Sequence, residues 1–104
     1  MSGVNRLVSE LLRAANTVDR LTASKVARML DDSVEAVQQL RRAANIVPIT
    51  ARDRLAYVRT VAGAADKLSS EEWSYALLSA AEMIRDLTVL IDSGTLISVY
   101  TQEG

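Results

Sequence analysis

Residues 21–49 read LTASKVARMLDDSVEAVQQLRRAANIVPI, and the reading of the middle of this stretch decides the fold. Val26, Leu30, Ser33, Val37, Leu40, Ala44 and Val47 recur at spacings of four and three, which places them on one face of a helix. Neither Gly nor Pro occurs between Gly3 and Pro48, so one long amphipathic helix ending just before Pro48 satisfies the pattern. The same residues also fit two shorter helices joined by a turn at Asp31-Asp32, with Thr22 capping the first and Ser33 opening the second. In that version Val26, Ala27 and Leu30 pack against Val37 and Leu40. The two readings lead to different functions, and the pattern alone leaves both open.

On either side of this stretch the helices have clearer limits. Val4, Val8, Leu11, Ala15 and Val18 form the stripe of a helix packed on one side. After Pro48, Thr50-x-x-Asp53 is a helix start, and Leu55, Val58, Ala62 and Ala65 carry the spacing on to Leu68. Ser69-x-x-Glu72 is a capping box for a last helix whose stripe is Trp73, Leu77, Ala80, Ile84, Leu87 and Ile91, with Gly94 as its stop. The following Thr95-Leu96-Ile97-Ser98-Val99-Tyr100 is β-branched and aromatic and is read as extended. The expected fold is all-α: a compact bundle of about four helices, at most five, in one domain over residues 1–94 with an extended tail over 95–104.

A theme of paired small residues recurs in these helices. Leu11-x-x-Ala14-Ala15-Asn16, Leu40-x-x-Ala43-Ala44-Asn45, Val61-x-x-Ala64-Ala65-Asp66 and Leu77-x-x-Ala80-Ala81-Glu82 begin 29, 21 and 16 residues apart, so they define no fixed period. We read them as packing chemistry that lets helix axes approach closely.

Composition removes most other classes. The 104 residues are 49% hydrophobic and 24% charged, enough apolar matter for one core and far from a disordered composition. No cysteine is present, hence no disulfide framework and no thiolate nucleophile. No apolar run spans a bilayer and no basic-apolar leader opens the sequence, so a cytoplasmic protein without membrane association is expected. The net charge of −1 hides an asymmetry, with +4 over residues 1–59 and −5 over residues 60–104. Halves of opposite sign attract one another within the fold or across a dimer.

The inventory for catalysis is thin. No histidine is available as a proton shuttle near neutral pH, and the four glycines are too scattered to cradle a phosphate. Asp31-Asp32, Glu71-Glu72 and Glu82 with Asp86 are the paired acids, and a solvated helix surface accounts for them better than a metal site does. We therefore expect no enzyme, no cofactor, no metal and no small-molecule substrate.

Read as broken at Asp31-Asp32, residues 21–49 resemble the helix-turn-helix of MerR-type and excisionase-type DNA-binding proteins. Arg54-Leu55-Ala56-Tyr57-Val58 and Ser69-Ser70-Glu71-Glu72-Trp73 resemble the later MerR helices. The resemblance implies a transcriptional regulator in which Ser33, Val34, Glu35, Gln38 and Gln39 face a major groove and Arg41 and Arg42 face phosphates. Read as unbroken, the chain is a small regulatory or interaction protein that binds protein through helix faces, works as a homodimer and has DNA only as an alternative partner. Asp31, Asp32 and Glu35 favour this second reading, because acids at the front of a recognition helix repel the backbone it must approach. Leu96, Ile97, Val99 and Tyr100 are then the candidate interaction tail, being too apolar to stand in water without consequence.

Overall fold

A computed structural model describes residues 2–44 and 54–93 of the chain, and these residues form four α-helices and no strand. Helix α1 spans Ser2–Asn16, α2 Ala23–Ala44, α3 Arg54–Gly63 and α4 Ser70–Ser93, with 3-10 turns at Val18–Arg20 and Ala65–Lys67. The all-α bundle expected from the periodicity is the observed architecture. Pro48, the Thr50-x-x-Asp53 start, Gly94 and the tail with Leu96, Ile97, Val99 and Tyr100 lie outside the described residues.

The stretch that opened two readings forms one helix. Helix α2 runs through Asp31 and Asp32, both exposed, and buries Val26, Leu30, Ser33, Val37, Leu40 and Ala44 along one side. Thr22 does cap it, since the Lys25 amide donates to Thr22 Oγ1 at 3.1 Å. Ser33 opens nothing. Its hydroxyl is fully buried and donates to the Met29 carbonyl at 2.8 Å, the bond by which a serine hides its polarity inside a helix.

Helix α3 is shorter than its periodicity suggests. The expected run to Leu68 stops at Gly63, and Val61 rather than Ala62 takes the fully buried place beside Leu55 and Val58. The stop does not require glycine, because a Cβ at Gly63 would meet open space and the same break occurs after Asn16, where there is no glycine. Both breaks let a 3-10 turn carry its residues onto the long helix of the other half of the chain, the first turn onto α4 and the second onto α2.

That exchange describes the whole molecule. The long helices α2 and α4 pack together at the centre, α1 lies mainly on α4, and α3 packs on both α2 and α4. One continuous core joins all four, with Leu11, Leu30, Leu77 and Ile84 among its largest fully buried side chains. The thinnest dimension is 17 Å, which at interaxial distances of roughly 8–10 Å leaves no room for more than two helix layers. Each long helix therefore keeps a face toward solvent.

The two halves, the units α1–α2 and α3–α4, share the backbone of one turn and of the helix start that follows it. Residues 47 positions apart make the same bonds: the amides of Thr17 and Ala64 donate to Ala14 and Val61, those of Arg20 and Lys67 to Thr17 and Ala64, and those of Leu21 and Leu68 to Val18 and Ala65. Backbone angles agree too, with φ, ψ of −131°, 34° at Thr17 against −128°, 20° at Ala64, and −100°, 152° at Leu21 against −111°, 160° at Leu68. The Ser69 hydroxyl receives the Glu72 amide at 3.4 Å as Thr22 receives that of Lys25. The register differs from the Ala-Ala theme, which set Leu11 over Val61; the structure sets Leu11 over Val58.

Candidate functional site

Buried polar side chains are few. Among the described residues they are Ser33, Ser79 and Thr88, and the Thr88 hydroxyl bonds the Ile84 carbonyl as Ser33 bonds that of Met29. No group of three His, Cys, Asp or Glu among the described residues is placed to hold a metal ion. Glu82 and Asp86 instead face Arg54, at 3.2 and 4.0 Å, in an ion pair open to solvent. No described helix is long and apolar enough to cross a membrane.

The residues proposed to read DNA do not converge. Ser33 points into the core, where no duplex reaches it. Gln38 and Arg41 are half-buried, while Gln39 and Arg42 are exposed on the outer side of α2. Gln39 Nε2 donates to Glu35 Oε1 at 3.3 Å, and Asp31 and Glu35 share that outer side by the helical period. The outer surface of α2 is thus a mixed-charge stripe.

Two clefts occupy corresponding places in the two units, each between the shorter helix and the start of the long helix, and the first also reaches Thr17 and Leu21 beside its 3-10 turn. The first, about 420 Å³, is lined by Glu10, Arg13, Ala14, Thr17, Leu21, Lys25, Arg28, Met29 and Asp32. The second, about 430 Å³, is lined by Tyr57, Glu71, Glu72 and Tyr75. With the 47-residue offset, Tyr57 stands where Glu10 stands, Glu72 where Lys25 stands and Tyr75 where Arg28 stands. The chemistry is reversed while the backbone is kept.

In the second unit the cleft wall is made by aromatic side chains. Tyr57 and Tyr75 meet edge to face with ring centroids 5.5 Å apart, the favoured geometry for two π systems. The Tyr57 hydroxyl donates to Glu72 Oε2 at 2.9 Å, so the carboxylate of the capping box is turned to the neighbouring helix. Burial first, then this bond and the nearby Glu72 charge, push the Tyr57 phenol up to about 12. Trp73 ties the turn itself, its indole Nε1 donating to the Ala65 carbonyl at 2.8 Å.

In the first unit nothing equivalent spans the gap. No ion pair among the described residues engages Arg13, Lys25 or Arg28. The cleft therefore has a partly apolar floor at Ala14, Leu21 and Met29 and a charged rim. Sequence reasoning missed Tyr57, Tyr75, Lys25 and Arg28 as a set. The signal that would have found them is Val18-Asp19-Arg20-Leu21-Thr22 against Ala65-Asp66-Lys67-Leu68-Ser69, two turns of one pattern.

The exposed large apolar side chains among the described residues all lie on α4. Tyr75, Leu78 and Val89 are 64%, 39% and 62% exposed and share one side of α4 by the helical period. Comparison of the chain with protein-family models, with curated proteins and with solved structures finds no match.

Proposed function

We propose that this chain is a small non-enzymatic interaction protein that binds protein through helix faces and self-associates. The observation that carries the reading is the exposure of three large apolar side chains, Tyr75, Leu78 and Val89, on the solvent side of α4, with Glu82 and Asp86 between Leu78 and Val89. Large apolar side chains in water gain by being covered, roughly in proportion to the area removed from solvent. The thin two-layer architecture supports the same reading, because it leaves both long helices with an outer face that a partner can cover. Opposite net charges on the described parts of the two units, +2 over residues 2–44 and −2 over 54–93, add a means of orienting like copies.

The test is the mass of the protein in solution, measured by light scattering over a concentration series. Association is expected for the parent chain and its loss for a variant carrying Tyr75→Ser, Leu78→Ser and Val89→Ser, with helical content unchanged. A parent chain that stays monomeric, or a triple variant that keeps the parent's mass, contradicts the reading. A gel-shift series with random duplex DNA tests the other proposal: binding that falls steeply with salt and weakens on Arg42→Ala would favour a DNA-binding protein.

A further inference from the structure

The two clefts differ in a way that identifies an occupant for one of them. In the second unit, Tyr57 and Tyr75 meet edge to face within the chain and line a cleft of similar size. At the equivalent places the first unit has Glu10 and Arg28, which neither stack on each other nor pair, and the floor of Leu21 and Met29 is only half-buried. This cleft holds no aromatic ring, and its three bases outnumber its two acids, Glu10 and Asp32. Arg13, Lys25 and Arg28 stand at its rim for carboxylates, and Met29 offers sulfur to a ring.

We propose that the basic cleft of one copy, at α1 and α2, receives the acidic-aromatic edge of α4 from a second copy, with Tyr75 over Leu21 and Met29 and Glu71 and Glu72 against Arg13, Lys25 and Arg28. This rests on the interaction reading above and names its surface and its partner. Glu71 and Glu72 are exposed and Tyr75 is 64% exposed, so the edge is available in the folded chain. An arginine at the rim also stacks on a tyrosine face, which strengthens the match beyond simple charge. Because each copy offers one cleft and one edge, a two-fold dimer satisfies both pairs at once, and its interface is isologous.

The experiment uses the full chain and two variants, each first shown by circular dichroism to keep its helical content. Lys25→Glu with Arg28→Glu destroys the cleft; Glu71→Arg with Tyr75→Ala destroys the edge. Sedimentation velocity should show association of the parent chain that weakens with added salt, and monomers for either variant alone at the same concentration. An equimolar mixture of the two variants should form a one-to-one complex, since each keeps the half the other has lost. If the cleft variant associates like the parent, or the mixture stays monomeric, the cleft pairing is wrong. If association then still depends on Tyr75, Leu78 and Val89, the broader interaction reading stands with a different partner surface, whereas a parent chain monomeric at every concentration removes both.

Discussion

The units α1–α2 and α3–α4 share a backbone and differ in what they place between their helices. In the second, a phenol, an indole and a carboxylate bind the turn and the helix pair together. In the first, Glu10, Val26 and Lys25 take those positions, and α1 hardly touches its own long helix but lies along α4. The comparison teaches that the same turn joins a packed helix pair in the second unit and a splayed one in the first. Each unit is completed by the other, through α1 on α4 and α3 on α2, with the Ser74 hydroxyl donating to the Ala15 carbonyl at 3.0 Å across that seam. A carbonyl at the end of a helix has no intrahelical partner, so this bond satisfies one of α1's open acceptors.

The largest effects test whether the units are equivalent in the core. Leu30 and Leu77 are counterparts and both are 0% exposed. Each change to Ala should cost about 2–5 kcal/mol, and denaturant titrations should give costs of similar size. A loss confined to Leu77→Ala would break the symmetry, making α4 the support and α2 a passenger.

Smaller losses sharpen the difference between the turns. Trp73→Phe removes the bond to Ala65 while the first unit, with Val26 at that place, never had one. The expected cost is about 1–2 kcal/mol, a hydrogen bond plus some lost ring area. An unchanged melting temperature would show that the indole bond contributes nothing. In α2, Asp31→Gly should be less stable than Asp31→Ala by about 1 kcal/mol, because glycine in a helix interior gives up more backbone freedom than alanine. Equal stability of the two variants would argue for a turn at Asp31.

The smallest effect is the most specific to the second unit. Tyr57→Phe should cost about 0.5 kcal/mol, at the low end for a partly solvated hydrogen bond. The folded phenol is raised to about 12 from an ordinary 10.0, so the folded state holds the proton more tightly than the unfolded chain does. Its contribution is complete below about pH 10 and is lost as pH rises through about 12. An absorbance titration should show the late-ionising Tyr57 phenol in the parent chain and its loss in Tyr57→Phe. A late phenol that survives the substitution would assign the shift to another tyrosine.

Much of this was legible in the residues. The stripe from Val26 to Ala44 was visible because a helix needs only period, and the caps at Thr22 and Ser69 because a hydroxyl before an apolar run has one favoured use. The stop of α3 at Gly63 was not, since Ala62, Ala65 and Leu68 continue an apolar spacing that a 3-10 turn also accepts. The clefts were legible only in hindsight. Glu10 and Tyr57, or Arg28 and Tyr75, share no chemistry, and only the matching turns at 18–22 and 65–69 mark them as counterparts.

What the sequence determined by itself was local: helical period, capping hydroxyls and the absence of histidine and cysteine all act within a few residues or through composition. The course of α2 through Asp31 and Asp32 was decided by tertiary structure, because a broken and an unbroken helix bury the same apolar residues. Only packing against α4 and α3 selects the straight one. The crossing of α1 onto α4, the opposition of the two clefts and the exposure of Tyr75, Leu78 and Val89 were decided in the same way. Each depends on which of several apolar faces finds which partner, and that choice is made by shape and area over the whole bundle rather than by any one segment.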